Sequence, residues 1–291
     1  RDSVLYIKPT MAEDKYGPGF LESGRLDLWG GSEANQCTQN EWWGCERVGN
    51  PTNIINPISS ARLRSSRGFS FRYGRVEVRA RMPKGDWLWP AIWMLPQWQE
   101  YGGWPASGEI DLVESRGNLE MRDEQGNLMG HQHAGQTMHW GPFFPYNAYD
   151  RTSGWLEDDF GDSFHLYQMD WNANGITMSI DGRTTFSVNP GPGGFWEHGD
   201  FNQLQGVDNP WASGSTMAPF DTKFHFILNV AVGGTNGFFP DSWTNAHGAK
   251  PWTNTSPQAF LDFWNGRGDW QPTWNGEEAA MAVDYVRVWA E

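Results

Sequence analysis

The chain is short of cysteine, of basic residues and of long apolar runs. Its two cysteines in 291 residues can close one short loop: Cys37 and Cys45 flank residues 39–44, either as a disulfide of a secreted protein or as two reduced core thiols. Lys and Arg total 21 against 35 Asp and Glu, a net charge of −14. That field repels nucleic acid, anionic membrane and anionic polysaccharide, and leaves a neutral glycan untouched. No stretch approaches eighteen apolar residues, so nothing reads as a spanning helix. The start, Arg1-Asp2-Ser3, has neither Met nor an apolar leader, and reads as a mature chain whose signal peptide has been removed or omitted. Asn254-Thr255-Ser256 is an acceptor sequon weakened by Pro257. There is no linker, no repeat of 20–50 residues and no βαβ alternation, which leaves one domain over residues 1–291. Gly233-Gly234-Thr235-Asn236-Gly237 lacks the Lys-Ser/Thr and following helix of a phosphate loop. Ser107 and Ser115 lie in no nucleophile elbow. His131-Gln132-His133 has no Cys, third His or carboxylate motif beside it, so it does not indicate a metal centre.

What the chain has in quantity is aromatic and turn-forming: 19 Trp, 17 Phe, 35 Gly and 18 Pro. Short strand patterns separated by turn signals predict an all-β sandwich. Strands are expected at residues 73–82, 109–114, 137–140, 164–171, 176–180, 184–188, 224–232 and 280–289. The 224–232 segment is the most hydrophobic and ought to be central. Residues 115–136 and 141–160 read as loops, and a short helix is expected near 258–264.

The chain is organised around Glu109-Ile110-Asp111-Leu112-Val113-Glu114. A strict two-residue period puts Glu109, Asp111 and Val113 on one strand face and Glu114 on the other. One extra residue bulged near Leu112-Val113 returns Glu114 to the acidic face. Folding by itself gives no reason for three acids on one strand. Retaining glycoside hydrolysis does, since it needs a nucleophilic carboxylate and a proton-donating carboxylic acid roughly 5–5.5 Å apart. A charged solvent face with Lys or Arg opposite is the bland alternative. Trp87, Trp89, Trp93, Trp98 and Trp104 crowd the stretch just upstream, more aromatic surface than a core needs and suited to the C–H faces of sugar rings.

Three stretches carry a resemblance: Tyr73-Gly74-Arg75-Val76-Glu77-Val78-Arg79-Ala80, Trp89-Pro90-Ala91-Ile92-Trp93-Met94-Leu95-Pro96, and Trp104-Pro105-Ala106-Ser107-Gly108 leading into the acidic motif. Met138-His139-Trp140-Gly141, Phe164-His165-Leu166-Tyr167 and Val283-Asp284-Tyr285-Val286-Arg287-Val288 extend it. With these the chain resembles glycoside hydrolase family 16 in its laminarinase branch, nearly end to end. The six-residue acidic motif is that branch's form; lichenases carry five.

The resemblance implies a β-jelly roll of two curved antiparallel sheets with a concave substrate cleft. It implies an endo-acting, retaining hydrolase of internal β-1,3 bonds in laminarin-type glucans, with Glu109 as nucleophile, Glu114 as acid/base and Asp111 between them. Asp111 would hold Glu109 by a hydrogen bond, and the field of its neighbours would keep Glu114 protonated. Trp93, Trp98, Trp104, Trp140 and His139 would line the subsites, His139 beside the acid/base, while Asn53 and Arg75 would contact hydroxyls. Catalysis would need no cofactor, although Asp284 falls where relatives often place a carboxylate on a structural calcium. The expected partner is a β-1,3-glucan, bound by a secreted monomer with no nucleic acid or membrane involved. The alternatives are a non-catalytic glucan-recognition protein, a class that has lost the acids kept here, a lichenase acting on mixed-linkage glucan, and a transglycosylase side activity.

Overall fold

Strands that are apolar at every second position need another layer to cover that face, and here two six-stranded antiparallel sheets cover each other. The computed structural model describes residues 3–31, 37 and 40–290; Arg1, Asp2 and Gln39 lie outside it. The first sheet runs, in spatial order, β1 (Leu5–Ile7), β12 (Met281–Trp289), β3 (Gly74–Arg81), β8 (His165–Asn172), β9 (Gly175–Ile180) and β10 (Arg183–Val188). The second runs β7 (Ser153–Glu157), β6 (His133–His139), β5 (Glu109–Ser115), β4 (Leu88–Pro96), β11 (Phe224–Val232) and β2 (Arg62–Arg64). This is the expected β-jelly roll, with β11 inside its sheet as its hydrophobicity requires.

The core lies between the layers. Val76, Val78 and Ala80 of β3 and Tyr167, Met169 and Trp171 of β8 meet Ile92 and Met94 of β4, Ile110, Leu112 and Val113 of β5, and Phe224 and Phe226 of β11. A second cluster, with Trp87, Met121, Phe239, Trp252, Phe263 and Trp270, packs the long 233–274 segment against the start of β4. That segment includes the expected short helix, at Ala259–Asn265. Cys37 and Cys45 are disulfide-bonded, with Cα atoms 5.7 Å apart.

Two segments depart from expectation. Residues 153–157, read as loop, form the edge strand β7, and β6 begins at His133 rather than at residue 137. Edge strands have one side unpaired and little to bury, so a Gly-containing, mostly polar segment carries almost no local signal. Arg75, Glu77, Arg79 and Arg81 do share one face of β3, as the alternation predicts, but it is the outward face of the first sheet.

Entry into β5 depends on Gly108. Its φ is +82°, and a Cβ there would sit 2.9 Å from Cε1 of Phe220, so both conformation and space call for glycine. Gly108→Ala should lower stability by about 1–3 kcal/mol. A denaturant midpoint shifted down at unchanged slope is the expected result; an unshifted midpoint would show that β5 is not anchored there.

Candidate active site

Backbone pairing, rather than side-chain contact, first decides which way the acids point. Against β4, Ala91 pairs Glu114, Ile92 pairs Val113, and then Trp93 pairs Asp111, so Leu112 is an extra residue. Against β6, Gly135 pairs Glu114 and Thr137 pairs Asp111, so Gln136 faces both Leu112 and Val113. This is the bulge the acidic motif requires. It returns Glu114 to the face of Glu109 and Asp111, while Ile110, Leu112 and Val113 enter the core.

A bulge leaves a carbonyl without its ladder partner. Here the side chain of the fully buried Gln136 supplies one: Nε2 donates to the Leu112 carbonyl at 2.8 Å. Its Oε1 accepts from the Thr185 hydroxyl at 2.7 Å. Gln136 thus ties the bulge on β5 to β10 of the opposite sheet. Neither periodicity nor motif singled it out, because a buried polar residue on a strand acquires meaning only when its partners are known.

Each glutamate is held by an indole. Trp89 Nε1 donates to Glu114 Oε1 at 2.9 Å, and Trp104 Nε1 to Glu109 Oε2 at 3.1 Å. Trp89 lies flat on Phe238, ring centroids 3.8 Å apart. Arg116 packs over the other parts of this group, 4.0 Å from the Phe238 ring and 4.7 Å from that of Trp243, and donates twice to the Phe238 carbonyl. His139 pairs with Glu109 across the ladder, with Nε2 3.2 Å from Asp111 Oδ2 and 3.9 Å from Glu109 Oε1. The Asn147 amide accepts from the Trp140 N–H through Oδ1, so its Nδ2 faces His139 Nδ1. That network makes Nδ1 the acceptor and puts the hydrogen of the neutral imidazole on Nε2.

Burial raises all three acids. Glu109 is pushed up to about 8 by burial first and Asp111 second, with His139 and the Trp104 N–H pulling the other way. Asp111 lies well above the ordinary range through burial and then Glu114, and its Oδ2 makes no hydrogen bond. Glu114 is raised by burial and lowered by Trp89, His139 and Arg116. Desolvation thus acts on Glu109 as well as on Glu114, and Asp111 and Glu114 influence each other's titration. No hydrogen bond joins Asp111 to Glu109 among the described residues; His139 stands between them instead. The ligand atoms of Glu109, Asp111 and His139 lie within 4.8 Å of one another.

Of the other sequence candidates, Trp93 and Trp104 reach this face. Trp93 Nε1 donates to Asn229 at 2.7 Å, with the Arg62 guanidinium over its ring. His139 also reaches it, but at the Glu109 end and not beside Glu114, because β6 runs antiparallel to β5. Trp140 does not. It is fully buried, donating to the Thr152 hydroxyl and packed on Phe195, since the alternation that exposes His139 turns its neighbour inward. Arg75 pairs with Glu77 on the far sheet. Asn53 sits in an exposed turn with Asn50. Trp98 is 70% exposed beyond the end of β4, over a cavity of about 520 Å³ that shares no residue with the acid cluster. Asp284 accepts from Arg79 through Oδ2 at 2.6 Å. Sequence reading missed Trp89, Arg116 and Phe238 as site residues. Trp89 was reachable, four positions from Trp93 on the same strand face; Phe238, on a distant loop, was not.

Comparison with known proteins agrees with this geometry. Residues 34–193 match the family described as glycosyl hydrolases family 16. A "Beta-1,3-glucan-binding protein" of Penaeus monodon is 53% identical over 99% of this chain and 78% of its own length. "Beta-1,3-glucan-binding protein 1" of Galleria mellonella is 35% identical over 100% of this chain and 55% of its own, so the chain spans about half of that insect relative. The laminarinase catalytic domain of Thermotoga maritima superposes with a TM-score of 0.51 at 20% identity, over 100% of this chain and 92% of that one, a likeness of fold.

Two predictions come from the site's geometry. Gln136→Leu leaves the Leu112 carbonyl buried without a donor, and should cost about 1–3 kcal/mol in denaturant unfolding; an unchanged midpoint would remove Gln136 from the support of the bulge. The second concerns pH. With its folded value raised from 4.5 to about 8, Glu109 favours the fold in its neutral form, fully below the unfolded value and progressively less as pH rises through the folded one. Glutamine does not titrate. The Tm of Glu109→Gln should match the parent near pH 4 and exceed it by an amount equivalent to a few kcal/mol by about pH 8. A gap constant with pH would contradict the burial of that charge.

Proposed function

The chain belongs to glycosyl hydrolase family 16, and from that premise we propose that it cleaves internal β-1,3-glucosidic bonds of laminarin-type glucans with retention at the anomeric carbon. The observation that carries this reading is the bulge at Leu112, which puts Glu109 and Glu114 on one face, each with one carboxylate oxygen held by an indole N–H. The second oxygen of each makes no hydrogen bond among the described residues and is available for chemistry.

In the first step Glu109 attacks the anomeric carbon through Oε1, the oxygen not engaged by Trp104. The glycosidic C–O bond breaks, and the proton on Glu114 passes to the leaving oxygen. A glycosyl ester of Glu109 remains. Glu114, now a carboxylate, takes a proton from water, whose oxygen attacks the same carbon from the opposite face and releases Glu109. Two inversions give net retention. Asp111 and His139 lie beside Glu109, and Arg116 favours the ionised form of Glu114 that the second step needs.

The preference for β-1,3 linkages is supported by the six-residue acidic motif and by the names of the Penaeus monodon and Galleria mellonella relatives. Secretion is supported by the Cys37–Cys45 disulfide. Those names also favour a second reading, a protein that binds glucan without cutting it; all three acids in place favour cleavage.

Reducing-sugar release compared on laminarin, mixed-linkage glucan, curdlan and cellulose should be largest on laminarin. Proton NMR of a fresh digest should show the β anomer first, and Glu109→Ser should lose turnover while still binding laminarin oligosaccharides. An α anomer appearing first would overturn the mechanism. Tight laminarin binding with no release by the parent protein would move the conclusion to the binding reading.

A further inference from the structure

If the two glutamates flank the bond that is cut, and both stand on β5, the glucan must pass between them and so cross the strands rather than follow them. Pairing then gives the lane it crosses. From Glu114 it runs to Gly135 on β6 and Trp155 on the edge strand β7; on the other side it meets Ala91 on β4 and Asn229 on β11. Both immediate neighbours of Glu114 in this row are small.

Gly135 is not there for the fold. It lies mid-strand without the positive φ that favours glycine, and a Cβ built on it would touch only the Glu114 carbonyl oxygen, at 3.9 Å. Alanine at such a position is ordinarily better by about 0.5–1 kcal/mol. Open space therefore lies over the backbone between Glu114 and Trp155. Trp155 bounds that space two strands, about 10 Å, from Glu114. Its ring is 56% exposed, yet it is supported on one side by the His133 ring, centroids 5.0 Å apart and planes within 28°. A lone exposed Trp on a surface means little. One backed by a second ring, in register with the acid and separated from it by an uncalled-for glycine, is a platform.

We propose that Trp155, with Gly135 as its floor, is an outlying subsite that stacks a glucosyl ring of the glucan roughly one to two rings from the scissile bond. The subsite rests on the reading of Glu109 and Glu114 as the cleaving pair. His133, held neutral near pH 7 because burial and then Arg116 lower it to about 4, offers the indole an uncharged support across the working range.

The test is calorimetric binding of laminaribiose and laminarihexaose to the parent, Trp155→Ala, Trp155→Phe and Gly135→Val, with laminarin hydrolysis assayed in parallel. Trp155→Ala and Gly135→Val should cut the ratio of hexaose to biose affinity by about tenfold, and Trp155→Phe should restore most of it. Gly135→Ala, which has room for its methyl, should fold at least as stably as the parent and serves if the valine variant does not fold. An unchanged ratio in Trp155→Ala, or equal loss for both ligands, would overturn the subsite. A parent that binds hexaose but releases no sugar from laminarin would sink the cleavage reading alone and leave the subsite standing.

Discussion

Three carboxylic acids on one face of a strand inside a packed sheet are the constraint on which the rest of this structure depends. A strand turns successive side chains to opposite faces, so Glu109 and Glu114, five positions apart, cannot share a face in a regular ladder. The extra residue at Leu112 resolves this, and it raises a second problem, a carbonyl without a strand partner. The Gln136 amide solves that from within the core and reaches across to Thr185 on the opposite sheet. The acid-bearing face is thus held from behind, by a hydrogen bond chain that crosses the sandwich, leaving its front open.

The front is stabilised by groups that never fully neutralise the acids. Two indoles, one imidazole and one guanidinium surround three carboxyls, and burial still wins, since all three are raised. A site built for stability would have paired each acid with a base. This one makes it costly to charge all three acids at once, so folding weakens as pH rises. The aromatic loops share that work. Phe239, buried in the second cluster, anchors the loop from which Phe238 covers Trp89, so the indole on Glu114 is positioned by packing about 150 residues further along the chain.

Family membership and chemistry meet here without being the same statement. Two of this chain's relatives are named for binding β-1,3-glucan, while the family is named for glycoside hydrolysis. The row of small residues beside Glu114, the supported Trp155 and the sandwiched Arg116 would serve either. The carboxylates and their bulge are what the proposed cleavage needs.

Local rules were enough for much of this. The two-residue period, turn residues and lack of βαβ alternation determined an all-β sandwich; the mismatch between that period and the spacing of Glu109 and Glu114 determined a bulge; and two cysteines eight apart determined which thiols could bond. The tertiary structure alone decided which aromatics meet the acids. Trp87, Trp89, Trp93, Trp98 and Trp104 look alike as a run, yet Trp87 is core, Trp98 stands apart, and Trp89 is the one on Glu114. Arg75 sits on the predicted face of its strand but in the wrong sheet, and Trp140 lies one residue from His139 with its side chain in the core. Strand β7, with Trp155, carried too little apolar pattern to be seen. In each case the deciding quantity is a pairing between segments distant in sequence, and alternation along one strand says which residues share a face, but not what lies opposite it.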